Sequence, residues 1–535
     1  MNCHSIALTL IVFNARIYDP IKGFLSASAL AVSDNKIILL GTDDEILSYQ
    51  QSSTQMIDAK KLILIPSFTD CHIHFVNFIR RKEEIRLEHC SSYNQTLSLI
   101  KKKVDNTPEG EWITGGGWNR NLWPDTEYPS RKHLDEITTK HFIALDSKDW
   151  HTTWVNTPVL QLARIPLNKP YAGAKHLAIN RYTGQFTGVL EEQARLKVYD
   201  LIPKKYYDKL RKSFQTSIQE LFKLGISGIH SVETLDEYDI YHEAKKNGEL
   251  GLRVYWYFPV KLLFTTEGLP KHKKIADDFL QVSGVKIFLD GSFGSQTAEL
   301  FENYENLGHP GVEVVDQKHL NEYVQKAVDN RLSCAVHAIG DKAVRKALTV
   351  FGIYAQQSKR IGLRHRIEHA QLIHPNDIPL FNKYNIFASI QPLHLAYDIP
   401  IINRYLGDRD RYTYPLGSMH KNDCKLIFGS DAPVEDFNPW KAIYSAIERR
   451  FKMDPEEASF YPEERLDIAT CLKAYTINAA LAAKMEKKLG RIKENSLADF
   501  FLVDRDIFGE NHLDLITAES VLTVLDGKVV YRNID

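Results

Sequence analysis

Between residues 62 and 433 the chain alternates short, nearly unbroken apolar runs with longer segments whose apolar positions recur at helical spacing. The runs fall at 62–74, 228–233, 252–258, 284–291, 333–339, 364–370, 386–392 and 425–433, and each ends in polar residues. Helix-length segments such as 318–330, 341–357 and 375–384 separate most of them. A run without polar alternation suits a strand buried on both faces, as in a parallel sheet. Eight such strands, each followed by a helical pattern, predict the α/β class and a (β/α)8 TIM barrel over 66–484.

The two ends read differently. Short strand-like runs at 8–13, 16–18, 26–33 and 36–40 fill the first 65 residues, and others at 499–503, 520–525 and 528–531 fill the last fifty, with a tight turn at Asp526-Gly527. Neither end can bury a core alone, so 1–65 and 485–535 are expected to form one small β-sandwich domain built from both termini. About 150 residues separate the first two barrel strands, far more than a usual βα connection. This insertion, at about 75–225, carries Trp112, Trp118, Trp123, Trp150 and Trp154, five of the seven tryptophans. Loops that follow barrel strands lie on the active-site face. The Gly115-Gly116-Gly117-Trp118 run therefore suggests a lid element, while the other tryptophans suit a small core of their own.

Composition narrows the function classes. The 535 residues are 44% hydrophobic and 25% charged, with 67 Lys+Arg against 68 Asp+Glu and a net charge of −1. This excludes extensive disorder and argues against coating nucleic acid or an anionic membrane. The expected partner is a small-molecule substrate, with no nucleic acid and no membrane; a homodimer is compatible with this reading. Six cysteines without a CxxC pair suit reduced thiols in a cytoplasmic setting. The apolar run 6–13 has no basic residue before it and no cleavage signal after it, and no stretch is long enough to span a bilayer.

The chemistry lies at the strand ends. In Asp70-Cys71-His72-Ile73-His74, residues two apart on an extended strand point the same way, so His72 and His74 can face one metal. Lys286 sits on an otherwise apolar strand, where it needs a partner or a changed charge state. His337 ends the fifth strand, His369 the sixth, and Asp431 follows the eighth. In a parallel barrel these ends converge on one cavity.

The set resembles the amidohydrolase superfamily, and within it the amidohydrolase-3 branch of YtcJ-like metal-dependent hydrolases. Besides these positions, the resemblance covers Gly115-Gly116-Gly117-Trp118, the stretch from Asp149-Trp150-His151 to Val155-Asn156, and Asp290-Gly291-Ser292-Phe293-Gly294-Ser295. It also covers His337-Ala338-Ile339-Gly340-Asp341 and Gly429-Ser430-Asp431-Ala432-Pro433. It implies a (β/α)8 barrel with a split β-sandwich. It further implies that His72, His74 and Asp431 hold one divalent metal, most simply zinc, and that His337 and His369 hold a second. Lys286 would bridge them as a carbamate formed with CO2, and one or two ions would bind accordingly.

The implied reaction is attack of a metal-bound hydroxide on a substrate carbonyl, with Asp431 as general base and then acid. His151 would be an oxyanion or substrate contact, and Asp290 would support the strand-four end. His365, four residues before His369, faces the same side by parity one layer lower and is read as core. Trp118, Phe288, Phe293 and Gln391 would line an apolar pocket. The expected activity is hydrolysis of a non-peptide C–N bond, in an amide, formamide or lactam with an apolar substituent. The alternatives are a hydrolytic deaminase of a heterocycle and a non-catalytic regulatory barrel. Deaminase relatives place Glu after the strand-five His, where this chain has Gly340-Asp341; the regulatory reading is set against an intact ligand set.

Overall fold

The computed structural model describes residues 7–118, 123, 129–147, 152–167, 177–179, 186–191, 193–199, 201–203, 207–265 and 277–534. Two compact units result, one of residues 1–76 with 215–535 and one of residues 77–214. The first contains an eight-stranded parallel sheet: β1 (Phe68–Ile73), β2 (Ile226–Val232), β3 (Arg253–Pro259), β4 (Leu280–Phe288), β5 (Ser333–Ala338), β6 (Arg366–His369), β7 (Phe387–Ile390) and β8 (Lys425–Phe428), hydrogen-bonded in that order. Beyond the strand ends the ring is drawn together by backbone hydrogen bonds. The Asp431 N–H donates to His72 O at 2.6 Å, and the His74 N–H to Ala432 O at 2.9 Å. The Asp70 carboxylate adds to this seam by accepting from the backbone N–H groups of His72 and Ser430, each at 3.0 Å. The sheet is thus a nearly closed barrel, as the apolar runs predict.

Side chains alternate around this wall. In β6, Arg366 and Glu368 point inward, where they meet His230, Tyr257 and His72. Outside, helix Asp341–Arg360 packs Ala343, Val344, Ala347, Leu348 and Phe351 into the core, with an acidic first turn and Lys359 and Arg360 in its last. That charge order complements the helix dipole.

The same unit holds the β-domain. One sheet runs Lys528–Arg532, Ser520–Leu525, Phe500–Val503, Ile63–Pro66, Arg16–Asp19 and Gly23–Phe24, so strands from both termini share it. A second sheet orders Lys36–Gly41, Ala29–Ser33, Leu10–Phe13 and Gln55–Asp58. Ile17, Leu30 and Leu64 from the beginning of the chain bury against Phe500, Leu502 and Leu522 from its end. Arg253, at the start of β3, ties barrel to β-domain: it is wholly buried and donates to Asp499 at 2.6 and 2.9 Å and to Asp526 at 3.0 Å.

The second unit has its own six-stranded sheet, in the order Leu177–Ile179, Phe186–Glu191, Thr152–Val155, Phe142–Ser147, Trp112–Trp118 and Ile85–Arg86. Its core contains Tyr93, Trp118, Trp123 and Trp154. The glycine run has a cause in this sheet. A Cβ on Gly115 would lie 2.2 Å from Ile85 O, and one on Gly116 would lie 2.2 Å from Asp146 O. Among the described residues, no helix is long and apolar enough to cross a membrane.

Candidate metal centre

Three side chains from three strand ends converge. His72, His369 and Asp431 are all buried, and one ligand atom from each lies within 4.8 Å of the others. Asp431 Oδ1 is 3.4 Å from His72 Nε2 and 3.2 Å from His74 Nε2. The rings of His369 and His337 sit 4.5 Å apart, and those of His369 and His72 5.1 Å apart. Lys286 is buried, with Nζ 4.9 Å from the centre of the Phe288 ring. The six positions expected to hold metal thus lie on one end of one barrel.

Two of these side chains reach the site by leaving ordinary strand geometry. His369 has φ 70° and Asp431 φ 60°, in the left-handed region that non-glycine residues rarely occupy. Alternation along β6 places Arg366 and Glu368 inward, so 365, 367 and 369 would all face the helices. His365 does so: its ring stacks on Phe351 at 4.9 Å, and its Nε2 meets Ser358 Oγ at 2.8 Å. The reading that His365 shares the face of His369 is therefore corrected. The positive φ at His369 turns that ring back toward His72 and His337.

The protonation states of three of the four histidines suit a cation. At His74 burial is outweighed by the contact with Asp431, which raises the ring above its ordinary value. Burial, and then the Lys286 charge, push His72 down to about 4 and His337 down to about 3. Burial also holds His369 well below its ordinary value. Burial alone would raise the Asp431 carboxyl, but His72, His74 and His369 hold it well below the usual carboxylate range. Neutral imidazoles at His72, His337 and His369 beside an ionised carboxylate are the forms a divalent metal requires. His369 Nδ1 is buried without a hydrogen-bond partner among the described residues, an orphan that a metal would satisfy. The residues therefore fit the implied metal, and nitrogen with carboxylate oxygen suits zinc among others.

Further side chains set the ring orientations. His72 Nδ1 meets Glu368 Oε2 at 2.6 Å, which leaves Nε2 for the centre. Glu368 in turn pairs with Arg366 at 2.5 Å, and Arg366 contacts His230 Nδ1 at 2.7 Å. His337 Nε2 donates to Gly291 O at 3.0 Å, so Nδ1 carries its free lone pair. Asp290 accepts from the backbone N–H groups of Glu299, Ile339 and Gly340 at 3.0, 3.1 and 2.8 Å, tying the loops after β4 and β5 together. Sequence reasoning overlooked Glu368, Arg366, His230 and His394. The readable signal for the first two was a pair of opposite charges two apart on an otherwise apolar strand.

Of the expected substrate contacts, Phe288, Phe293 and Gln391 belong to the unit that holds the barrel and Trp118 to the other. Phe288 is half exposed at the end of β4, its ring 5.3 Å from that of His337. Gln391 is buried after β7, and its Oε1 has no hydrogen-bond partner among the described residues. Phe293 is buried. Trp118 belongs to the core of the insertion, where its indole N–H donates to Leu145 O at 2.8 Å. His151 lies outside the described residues.

A parallel barrel with imidazoles and a carboxylate at its C-terminal end defines a metal-dependent hydrolase. Residues 55–531 match the family described as the amidohydrolase family, and the chain belongs to that family. It is 28% identical to Protein LONG AFTER FAR-RED 3 of Arabidopsis thaliana, over 98% of this chain and 92% of that protein. It is 27% identical to the putative amidohydrolase YtcJ of Bacillus subtilis (strain 168), over 96% and 98%. A crystal structure of an uncharacterized metal-dependent hydrolase from Pyrococcus furiosus is similar, with TM-score 0.77 and 26% identity, covering 94% of this chain and all of that one.

Proposed function

We propose that this hydrolase cleaves a non-peptide C–N bond, an amide or formamide, in a small and mostly apolar substrate of the cytoplasm. The observation that carries the reading is the convergence of His72, His369 and Asp431, with neutral imidazoles, at the C-terminal end of the barrel. Zinc, one ion or two, is the metal that best suits these donors; when bound it lowers the pKa of water toward about 7 and polarises a carbonyl.

The chain's own groups then divide the work. Asp431 is the ionised carboxylate at the centre, able to take a proton from the attacking water and pass it to the leaving nitrogen. Burial brings Lys286 down to about 8, against the opposing pull of Glu368 and Asp431. Its amine is therefore partly neutral near pH 7, the form that adds to CO2 to give a carbamate. That change would replace a buried cation with an anionic oxygen ligand. Phe288 offers an exposed apolar surface beside His337, which favours an apolar substituent. The five described cysteines are all buried and unpaired, which agrees with a reducing compartment.

The test is a panel of N-formyl and N-acyl amines given to the zinc-loaded protein, with released amine measured against a chelated control. Chelator-sensitive release supports the reading. Stoichiometric metal with ammonia released from heterocycles, and none from amides, would replace it by a deaminase. Absence of bound metal would remove the enzymatic reading altogether.

A further inference from the structure

His394 lies just beyond β7, in helix Pro392–Tyr405, and has no place in the donor set. Its side chain is nine-tenths buried, and its Nε2 has no hydrogen-bond partner among the described residues. The ring lies 6.2 Å from that of His369 and within 14° of parallel to it. Its Nε2 is 4.0 Å from Asp431 Oδ2, whereas His72 and His74 approach the other oxygen, Oδ1. His72 and His74 thus face one oxygen of Asp431, and the buried nitrogen of His394 faces the other.

A buried imidazole nitrogen left unpaired is costly unless something polar meets it. Among the described residues no carboxylate hydrogen-bonds it, although Asp431 Oδ2 stands 4.0 Å away and the charges of Asp398 and Glu435 also reach the ring. Asp398, one turn further along the helix, accepts from the Tyr414 hydroxyl at 2.6 Å, and burial raises both its carboxyl group and that of Glu435. A second buried atom without a partner among the described residues comes from the same turn: Gln391 Oε1, while the Gln391 Nε2 donates to Ser389 O at 3.4 Å. Gln391 offers an acceptor and His394 a nitrogen able to donate. An amide group, with its N–H and C=O, is the chemical complement of such a pair.

We propose that His394 is a catalytic residue of this centre, contacting the substrate's amide group on the Oδ2 side of Asp431 rather than binding metal. The inference rests on the hydrolase reading above. In this role Nε2–H donates to the polar group of the substrate, from a ring lying nearly parallel to that of His369. His394→Ala would remove the donor, while His394→Gln would keep a donor of similar reach.

The experiment uses the full chain loaded with zinc, with benzohydroxamate as the probe, a small aromatic ligand carrying both C=O and N–H. Metal content is measured after dialysis, probe affinity by calorimetry, and folding by thermal melting. The expected result is unchanged zinc in both variants, about tenfold weaker probe binding in His394→Ala, and partial recovery in His394→Gln, the effect of one hydrogen bond. Loss of zinc from either folded variant would make His394 a ligand and overturn the proposal. Equal probe affinity in wild type and His394→Ala would overturn it as well, while leaving the hydrolase reading intact. A wild-type protein that holds neither zinc nor probe would overturn both.

Discussion

His72 Nδ1 and Glu368 Oε2 lie 2.6 Å apart, and both side chains are fully buried. The carboxylate accepts the Nδ1 proton and so presents the Nε2 lone pair toward Asp431 and His369. Glu368→Gln can no longer hold the ring as a charged acceptor, and zinc affinity should fall about 10–100-fold, read by competition with a chelator. Glu368→Ala should add a loss of about 3–5 kcal/mol in urea unfolding, because Arg366 is left as an uncompensated buried charge. Zinc affinity unchanged in Glu368→Gln would mean that the contact has no role at the metal.

Gly429 carries the barrel from β8 past β1. A Cβ there would lie 2.3 Å from His72 N and 2.8 Å from His72 Cβ, distances that real side chains do not tolerate. Gly429→Ala must push the first and last strands apart at the seam that positions His72 and Asp431. Overpacking of this kind costs about 1–3 kcal/mol. Turnover should fall further than this stability loss explains, since the ligands move with the backbone. Melting and zinc-dependent hydrolysis measured together check this, and a variant that melts early yet keeps full turnover would contradict it.

The barrel was legible because its strands are buried on both faces and so lack polar alternation. Its metal donors were legible because they interrupt those runs at their C-terminal ends. His369 shows where such reading stops, since period-two alternation assigns it to the helix side and only its φ of 70° brings it inward. His394 escaped because it stands beyond the strand end, on a helix, where strand parity says nothing. Gly115-Gly116-Gly117 was ambiguous because glycine serves a mobile loop and a tight strand approach equally well, and the close approach of Ile85 and Asp146 shows the second requirement.

His365 makes stability depend on acid without taking part in the metal site. Its Nδ1 accepts from the Cys334 N–H at 3.0 Å and its Nε2 meets the Ser358 hydroxyl, so the folded ring is neutral. Burial pushes it down to about 3. In the unfolded chain it protonates near 6.5, so this contribution is complete above that pH and is lost as pH falls toward 3. At pH 5 the loss is about 2 kcal/mol. Urea unfolding between pH 7 and 4.5 should therefore show a shallower decline in His365→Gln than in wild type, although that variant starts from a lower value. Parallel curves would show that His365 is not a source of the acid sensitivity.

Lys286 provides the sharpest separation of one metal from two. An ordinary lysine holds almost no neutral amine at pH 7, but at a pKa of about 8 about a tenth is neutral at pH 7 and about half at pH 8. Since only the neutral amine adds CO2, loading of a second metal should require bicarbonate and should rise between pH 6.5 and 8.5. Apo protein given zinc in CO2-depleted buffer should take up one equivalent, and bicarbonate should restore the second. Lys286→Ala should hold one equivalent under both conditions, measured by metal analysis after dialysis. It should also lack the mass increment of one CO2 that native mass spectrometry is expected to show for the wild type. Two equivalents bound by Lys286→Ala would remove the bridge and leave His337 and His369 sufficient for the second ion. One equivalent in wild type at every bicarbonate concentration would instead identify a mononuclear centre, with Lys286 serving only as a buried amine beside it.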